Sequence, residues 1–252
     1  MGCTRRQFVH CALTGIGAFA GSWVGACSNK DELDHEAPSV RWAMVVDLRK
    51  CESHTGCKAC VAACHGAHNV PDFGDASRHR IEWIRKASFD GAFPSFANHP
   101  VPDRVRTRPV VALCNHCDNP PCVRVCPARA TWRGADGIVR MDWHRCIGCR
   151  YCAVACPYGS RSFNWVDPKS RLTKIDSGFP TRTQGVVEKC TLCADRLARN
   201  QIPMCVEACF HGALVFGNVR DPDSTVSRML QNHLTIRRKA NLGTEPHVFY
   251  LV

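Results

Sequence analysis

The feature that most constrains this 252-residue chain is the spacing of its 19 cysteines. Cys3, Cys11 and Cys27 fall in the first 27 residues. The other sixteen fall into four groups of four, with none left over. They are Cys51, Cys57, Cys60 and Cys64; Cys114, Cys117, Cys122 and Cys126; Cys146, Cys149, Cys152 and Cys156; and Cys190, Cys193, Cys205 and Cys209. A packed core has no need of so many thiols, so the cysteines are read as a ligand or cross-link framework.

The third group is the most specific. Cys146-Ile-Gly-Cys149-Arg-Tyr-Cys152-Ala-Val-Ala-Cys156-Pro157 follows the run C-x2-C-x2-C-x3-C-P that binds 4Fe–4S cubes. Two-residue gaps let one tight loop set three thiolates around one face of a cube. The fourth Cys lies on the helix that follows, points away and serves a different cube. Gly148 suits a loop whose backbone must pass close to the inorganic core. The second group widens one gap to four residues, between Cys117 and Cys122, and closes on Cys126-Pro127. The fourth widens the same gap to eleven, between Cys193 and Cys205. An insertion there bulges outward without moving the ends.

The first group departs from the pattern, with five residues between Cys51 and Cys57. His54 stands three before Cys57, where a regular motif holds its first Cys. The first ligand is therefore either Cys51, across a three-residue insertion, or His54. The lead Trp42-Ala-Met-Val-Val-Asp47 with Lys50 matches Val139-Arg-Met-Asp142 with Arg145 ahead of Cys146, and that repeat favours Cys51. Structural zinc could also consume sixteen thiolates, but zinc sites commonly pair two distant C-x2-C units without the x3-Cys-Pro ending.

The N-terminus bears on the same choice. Thr4-Arg5-Arg6-Gln7-Phe8 reads as a twin-arginine export signal, followed by an uncharged Gly/Ala-rich stretch from Cys11 to Ala26. Val24-Gly25-Ala26-Cys27 resembles a lipoprotein cleavage box, which would make Cys27 the lipidated first residue; ordinary cleavage nearby or a retained anchor is the alternative. Residues 1–27 are therefore set aside as the signal. The twin-arginine route carries proteins already folded around a cofactor. Their thiols meet metal in a reducing compartment, which disfavours an eight-disulfide framework. The expected location is the periplasmic or extracytoplasmic face of the membrane.

The formal charge of +11 invites a nucleic-acid reading. Sixteen thiolates set against four cubes of about +2 each bring the loaded chain close to neutral. The basic excess is then internal compensation, and no nucleic acid is expected. Lys50, Arg145 and Lys189 each precede the first Cys of a group, facing either a cluster or solvent.

Short strands alternate with short Cys-bearing helices. Strands are expected at 42–47, 110–113, 138–141, 162–165 and 213–216, with Ile81–Ile84 a further strand in an insertion. Helical turns are expected at 58–66, 121–126, 150–155, 193–199 and 203–208, and a last helix at 223–231, before a tail running to Val252. His65, His68, His116 and His211 read as hydrogen-bonding or surface residues, and Trp132, Trp143 and Trp165 as packing.

Over nearly all of 40–252 the sequence resembles the four-cluster ferredoxin-type electron-transfer subunits of molybdopterin oxidoreductases and polysulfide-reductase-like membrane complexes. The resemblance rests on Asn115-His-Cys117-Asp-Asn-Pro-Pro-Cys122, on Cys146-Ile-Gly-Cys149-Arg-Tyr-Cys152, on Glu188-Lys-Cys190-Thr-Leu-Cys193 and on Pro203-Met-Cys205-Val-Glu-Ala-Cys209. Pro157-Tyr-Gly-Ser-Arg-Ser-Phe-Asn-Trp165 is similar to the exported subunit of the sulfite-reduction-associated and quinone-reductase complexes. The resemblance implies an α+β fold of two bacterial-ferredoxin-like modules, one inserted in the other, with long loop insertions. The outer module is 40–67 plus 186–252 and the inner one 110–165. Residues 68–109 form a partner-docking insertion and 166–185 a connecting one.

The resemblance also implies that motifs exchange their last cysteines. Cluster 1 then takes Cys51, Cys57, Cys60 and Cys209, and cluster 2 takes Cys190, Cys193, Cys205 and Cys64. Cluster 3 takes Cys114, Cys117, Cys122 and Cys156, and cluster 4 takes Cys146, Cys149, Cys152 and Cys126. The implied partners are a multispan quinone-interacting membrane subunit and a catalytic molybdopterin or multihaem cytochrome subunit. The chain would be an electron wire without catalytic residues. No catalytic triad, Walker loop or Gly-rich dinucleotide fingerprint occurs. A stand-alone iron–sulfur reductase would need an open coordination site, hence a missing Cys, and none is missing. A structural zinc-binding interaction protein would be colourless where an iron–sulfur protein is brown.

Overall fold

The computed structural model describes residues 40–52, 56–74 and 77–252. The signal with Cys27, and His54, lie outside the described residues. Helix and strand alternate as expected, giving a mixed α and β architecture. The strands are β1 (Trp42–Asp47), β2 (Ile84–Ala87), β3 (Val110–Leu113), β4 (Thr131–Arg133), β5 (Val139–Met141), β6 (Ser162–Phe163), β7 (Val187–Glu188), β8 (Leu214–Asn218), β9 (Thr235–Arg237) and β10 (Val248–Leu251).

Four of them make the largest sheet, in the order β8-β1-β10-β9. β1 runs antiparallel to β8, with Val45 opposite Val215, and parallel to β10, with Met44 opposite Val248. The apolar run of β1 is continuous because both of its faces are covered. Met44 and Val46 join Val248 and Tyr250 in the main core. Ala43 and Val45 join Leu251 and Val226, the latter on helix Thr225–Asn232. That helix starts at Ser224, whose Oγ accepts from the Ser227 amide at 3.1 Å.

Three two-stranded sheets complete the fold, pairing β2 with β3, β4 with β5 and β6 with β7. Helices Ala59–Ala67, Pro121–Arg124, Tyr151–Ala155, Ala194–Leu197 and Met204–Glu207 follow the cysteine loops. Most are a single turn. Pro121 takes the first helical position of its turn, where its missing N–H costs nothing. Among the described residues no helix is long and apolar enough to cross a membrane.

Two expectations change. The 68–109 insertion is partly core: Trp83, Ile84, Phe89 and Phe93 are buried, and β2 binds β3 along its length. Its strand begins at Ile84 rather than ending there. The tail after 231, for which no strand was expected, supplies β9 and β10. Trp132 and Trp165 are exposed, while Trp143 stacks 6.4 Å from Trp83 as packing.

Candidate metal centres

The geometry of the cysteine loops repeats. The residue just before the second Cys of each motif has positive φ: Gly56 at 83°, His116 at 43°, Gly148 at 70° and Leu192 at 55°. A left-handed residue there turns the chain so that the two flanking cysteines converge. His116 and Leu192 adopt it at a cost of about 1–2 kcal/mol each, strain of the kind found at functional sites. At Gly148 no other residue fits, since a Cβ would stand 2.2 Å from the Gly185 carbonyl oxygen. The same turn stands at Gly56, just before Cys57.

Thiols from different motifs line common cavities. Cys51, Cys57, Cys60 and Cys209 line one. Cys64, Cys190, Cys193 and Cys205 line a second. Cys126, Cys146, Cys149 and Cys152 line a third. Around Cys117 the neighbouring thiols are Cys114, Cys122 and Cys156. The four sets also adjoin one another in a row. Cys60 lies beside Cys64 and Cys205, Cys114 beside Cys190, and Cys122 beside Cys152.

Burial pushes the Cys117 and Cys190 thiols up to about 12 and those of Cys60 and Cys193 up to about 11, and neighbouring thiols add repulsion at Cys60, Cys117 and Cys190. Cys64 and Cys205 are raised well above the ordinary thiol value for the same two reasons. Thiolates gathered this closely are stable only around positive charge. Among the described residues no group of three or more His, Cys, Asp or Glu is arranged to hold a single metal ion. Four cysteines around each common cavity fit a polynuclear group. Buried polar atoms agree: the Asn115 amide and the Thr191 hydroxyl, each directly after the first Cys of its motif, have no protein partner. Backbone amides of Ala130, Leu192 and Met204 already donate to Cys126, Cys190 and Cys193 at 3.3, 3.3 and 3.4 Å.

Cations surround the thiols, and the sequence disclosed few of them. Lys86 Nζ, on β2, donates to Cys51 Sγ at 3.0 Å. Arg161 Nη2 donates to Cys122 Sγ at 3.1 Å. Lys189 is buried, with Nζ on the carbonyls of Val139 and Cys190 at 2.5 and 2.6 Å. Of the three basic residues that precede a motif, it alone is buried. Lys50 is exposed, and Arg145 is exposed and paired with Asp142 at 3.3 Å. Lys86 is 35 residues from its thiol, and only the register of β2 on β3 brings it there.

The histidines near the motifs act as expected for hydrogen-bonding residues. His68 Nδ1 is 2.8 Å from the Cys64 carbonyl oxygen and Nε2 is 3.5 Å from Cys193 Sγ. His116 Nδ1 accepts from the Val139 amide at 3.1 Å. Burial lowers the pKa of both, so both are neutral at pH 7. His65 is held down to about 4, again by burial. Behind His68 lies a fully buried ion pair, Arg182 to Glu188 at 2.7 Å. Trp83 Nε1 and Asn164 Nδ2 also donate to the Glu188 carboxylate, at 2.7 and 2.5 Å, and Arg182 Nη2 donates to the Asn69 carbonyl at 2.7 Å. Every charge in this knot is paired or hydrogen-bonded, as burial requires.

A 4Fe-4S dicluster domain family matches residues 107–186 and 175–219. Iron-sulfur subunit 1 of the Hdr-like menaquinol oxidoreductase of Archaeoglobus fulgidus is 40% identical over 98% of this chain and 97% of its own. The B protein of the tetrathionate reductase of Salmonella typhimurium is 38% identical over 86% of this chain and 75% of its own. The B protein of the polysulfide reductase of Wolinella succinogenes is 36% identical over 83% and 93%. The protein belongs to the family of iron–sulfur electron-transfer subunits of molybdopterin-oxidoreductase and polysulfide-reductase-like respiratory complexes.

Proposed function

We propose that this chain carries single electrons along four 4Fe–4S clusters, between a quinone-interacting membrane subunit and a catalytic molybdopterin or multihaem subunit. The observation that carries the reading is the unbroken row of four thiol sets. Each 4Fe–4S cluster supplies one-electron redox chemistry. The chain's own residues do the rest. Cys51, Cys57, Cys60 and Cys209 hold the first cluster, and Cys64, Cys190, Cys193 and Cys205 the second. Cys114, Cys117, Cys122 and Cys156 hold the third, and Cys126, Cys146, Cys149 and Cys152 the fourth.

Burial along the row suits a wire with open ends. All four thiols of the second set and all but Cys156 of the third are buried, whereas Cys57 and Cys209 in the first and Cys126, Cys146 and Cys149 in the fourth are half-buried. Exposed apolar side chains stand beside the two end sets, Phe210 next to Cys209, and Ile147 and Tyr151 in the third motif. The nested-module arrangement follows from the same exchange of cysteines. The outer module is 40–67 with 186–252, joined through the β8-β1-β10-β9 sheet, and the inner one is 110–165. The exposed remainder of the 68–109 insertion is the docking surface for a partner.

One relative that matches over nearly the full length of both chains is part of a menaquinol oxidoreductase, which favours menaquinol as the quinone partner. The twin-arginine signal supports a place on the outer face of the membrane, with Cys27 the lipid attachment point if the cleavage box is used. Iron and acid-labile sulfide analysis of the purified mature protein tests the cluster count. About sixteen of each per chain is expected from four cubes. Stoichiometric zinc, or half that iron, overturns it.

A further inference from the structure

One cation stands apart from the others because it hydrogen-bonds a thiol of the third set while lining the cavity of the fourth. Arg161 is 7% exposed and follows Cys156 by five residues. Its Nη2 donates to Cys122 Sγ at 3.1 Å and to Thr131 Oγ1 at 2.9 Å, and its Nη1 lies 3.6 Å from Met141 Sδ. It also lines the cavity of Cys126, Cys146, Cys149 and Cys152, where its charge acts on the Cys152 thiol. Cys122 and Cys152 are packed together in one small apolar cluster with Val139 and Val187. Thr131 is itself fixed, its hydroxyl donating to the Arg140 carbonyl at 2.6 Å. The guanidinium is therefore clamped at the joint between the third and fourth sets. No carboxylate among the described residues pairs with it, so its charge is directed at sulfur.

We propose that Arg161 is a potential-setting residue shared by the third and fourth clusters, a single fixed charge that raises both and holds them level. A positive charge in a poorly screened interior stabilises the reduced, more negative form of any cluster it faces. Because this one touches a ligand of the third cluster and lines the cavity of the fourth, it stabilises an electron on either. The electron then crosses the joint without an uphill step imposed by unequal surroundings. Arg suits the role better than Lys, since its planar fork can address two sulfurs and a hydroxyl together and its charge is permanent. Lys86 and Lys189 do not hydrogen-bond a sulfur at this joint. Lys86 touches only the first set, and the Lys189 ammonium, whose charge reaches Cys190 and Cys122, spends its hydrogen bonds on carbonyl oxygens.

The inference rests on the four-cluster reading, and the test separates the two. Redox titration of the holoprotein, followed by electron paramagnetic resonance, reads four potentials. Cys122→Ser and Cys152→Ser identify the third and fourth. Arg161→Gln is expected to lower both of those and to leave the first and second where they are, with the iron content intact. Met141→Glu, which sets a carboxylate against the guanidinium, is expected to lower the same two. It keeps the test decisive should the glutamine variant fail to load. Full iron with unmoved potentials in either variant, or movement of only one of the pair, overturns the inference and leaves the four-cluster reading standing. A wild-type protein with fewer than four titrating clusters overturns that reading instead.

Discussion

At the scale of single residues, charge and burial decide more than identity. His247 shows how. Its Nε2 is 2.6 Å from Asp118 Oδ2, a contact that would normally raise its pKa. Burial, with Arg41 close by, outweighs the carboxylate and holds it down to about 4. The imidazole is therefore neutral in the folded protein and donates to Asp118, which also receives Arg41 at 2.8 Å. A folded-state value below the unfolded 6.5 means the contribution to stability is complete above pH 6.5 and is lost as pH falls toward 4. The loss is on the order of 3 kcal/mol for a shift of this size. Thermal midpoints of the wild type and His247→Gln at pH 7 and pH 4.5 check it. The glutamine variant keeps a donor for Asp118 and is expected to lose less between the two. The residues of the thiol sets were legible because spacing along the chain carries their meaning. Lys86, Arg161, Arg182 and His247 were not, because each reaches its partner through tertiary packing and no local pattern marks it.

Elements tell a similar story with different physics. The strand at 42–47 and the helical turns after the cysteines could be read directly, since an apolar run or a motif specifies each one locally. β9 and β10 could not. Val248-Phe-Tyr-Leu251 is a short apolar run whose parallel partner, β1, sits at the other end of the described chain. The reach of β2 was only partly legible, because Ile81–Ile84 read as a strand whereas the pairing with β3 runs over Ile84–Ala87. The C-x2-C loop is the element most exposed to a single change. Gly148→Ala forces a side chain to φ 70° and sets its Cβ 2.2 Å from the Gly185 carbonyl oxygen. The backbone conformation alone costs about 1–2 kcal/mol, and the contact with fixed backbone costs more. The variant is expected to lose the fourth cluster while keeping the others, read as a fall of about a quarter in iron and sulfide content.

For the molecule as a whole, the pairing of sequence-distant motifs is the governing fact. Cys209 lines a cavity with Cys51, Cys57 and Cys60, so its replacement acts at the far end of the sequence. Cys209→Ser is expected to shift or abolish the redox signal of the first cluster and leave the third and fourth unchanged. A change confined to the signal of the cluster bound by Cys190 and Cys193 would contradict the exchange. Close to that cavity lies the sheet in which β1 occupies an interior place, with β8 on one side and β10 on the other. This placement has a mechanical meaning. A tug on the chain just ahead of residue 40 runs lengthwise along β1, so both flanking ladders are sheared together instead of being unzipped bond by bond. A motor that threads proteins from their leading end would meet its highest resistance in the first stretch it grips. A transporter that moves its cargo intact never has to break that grip.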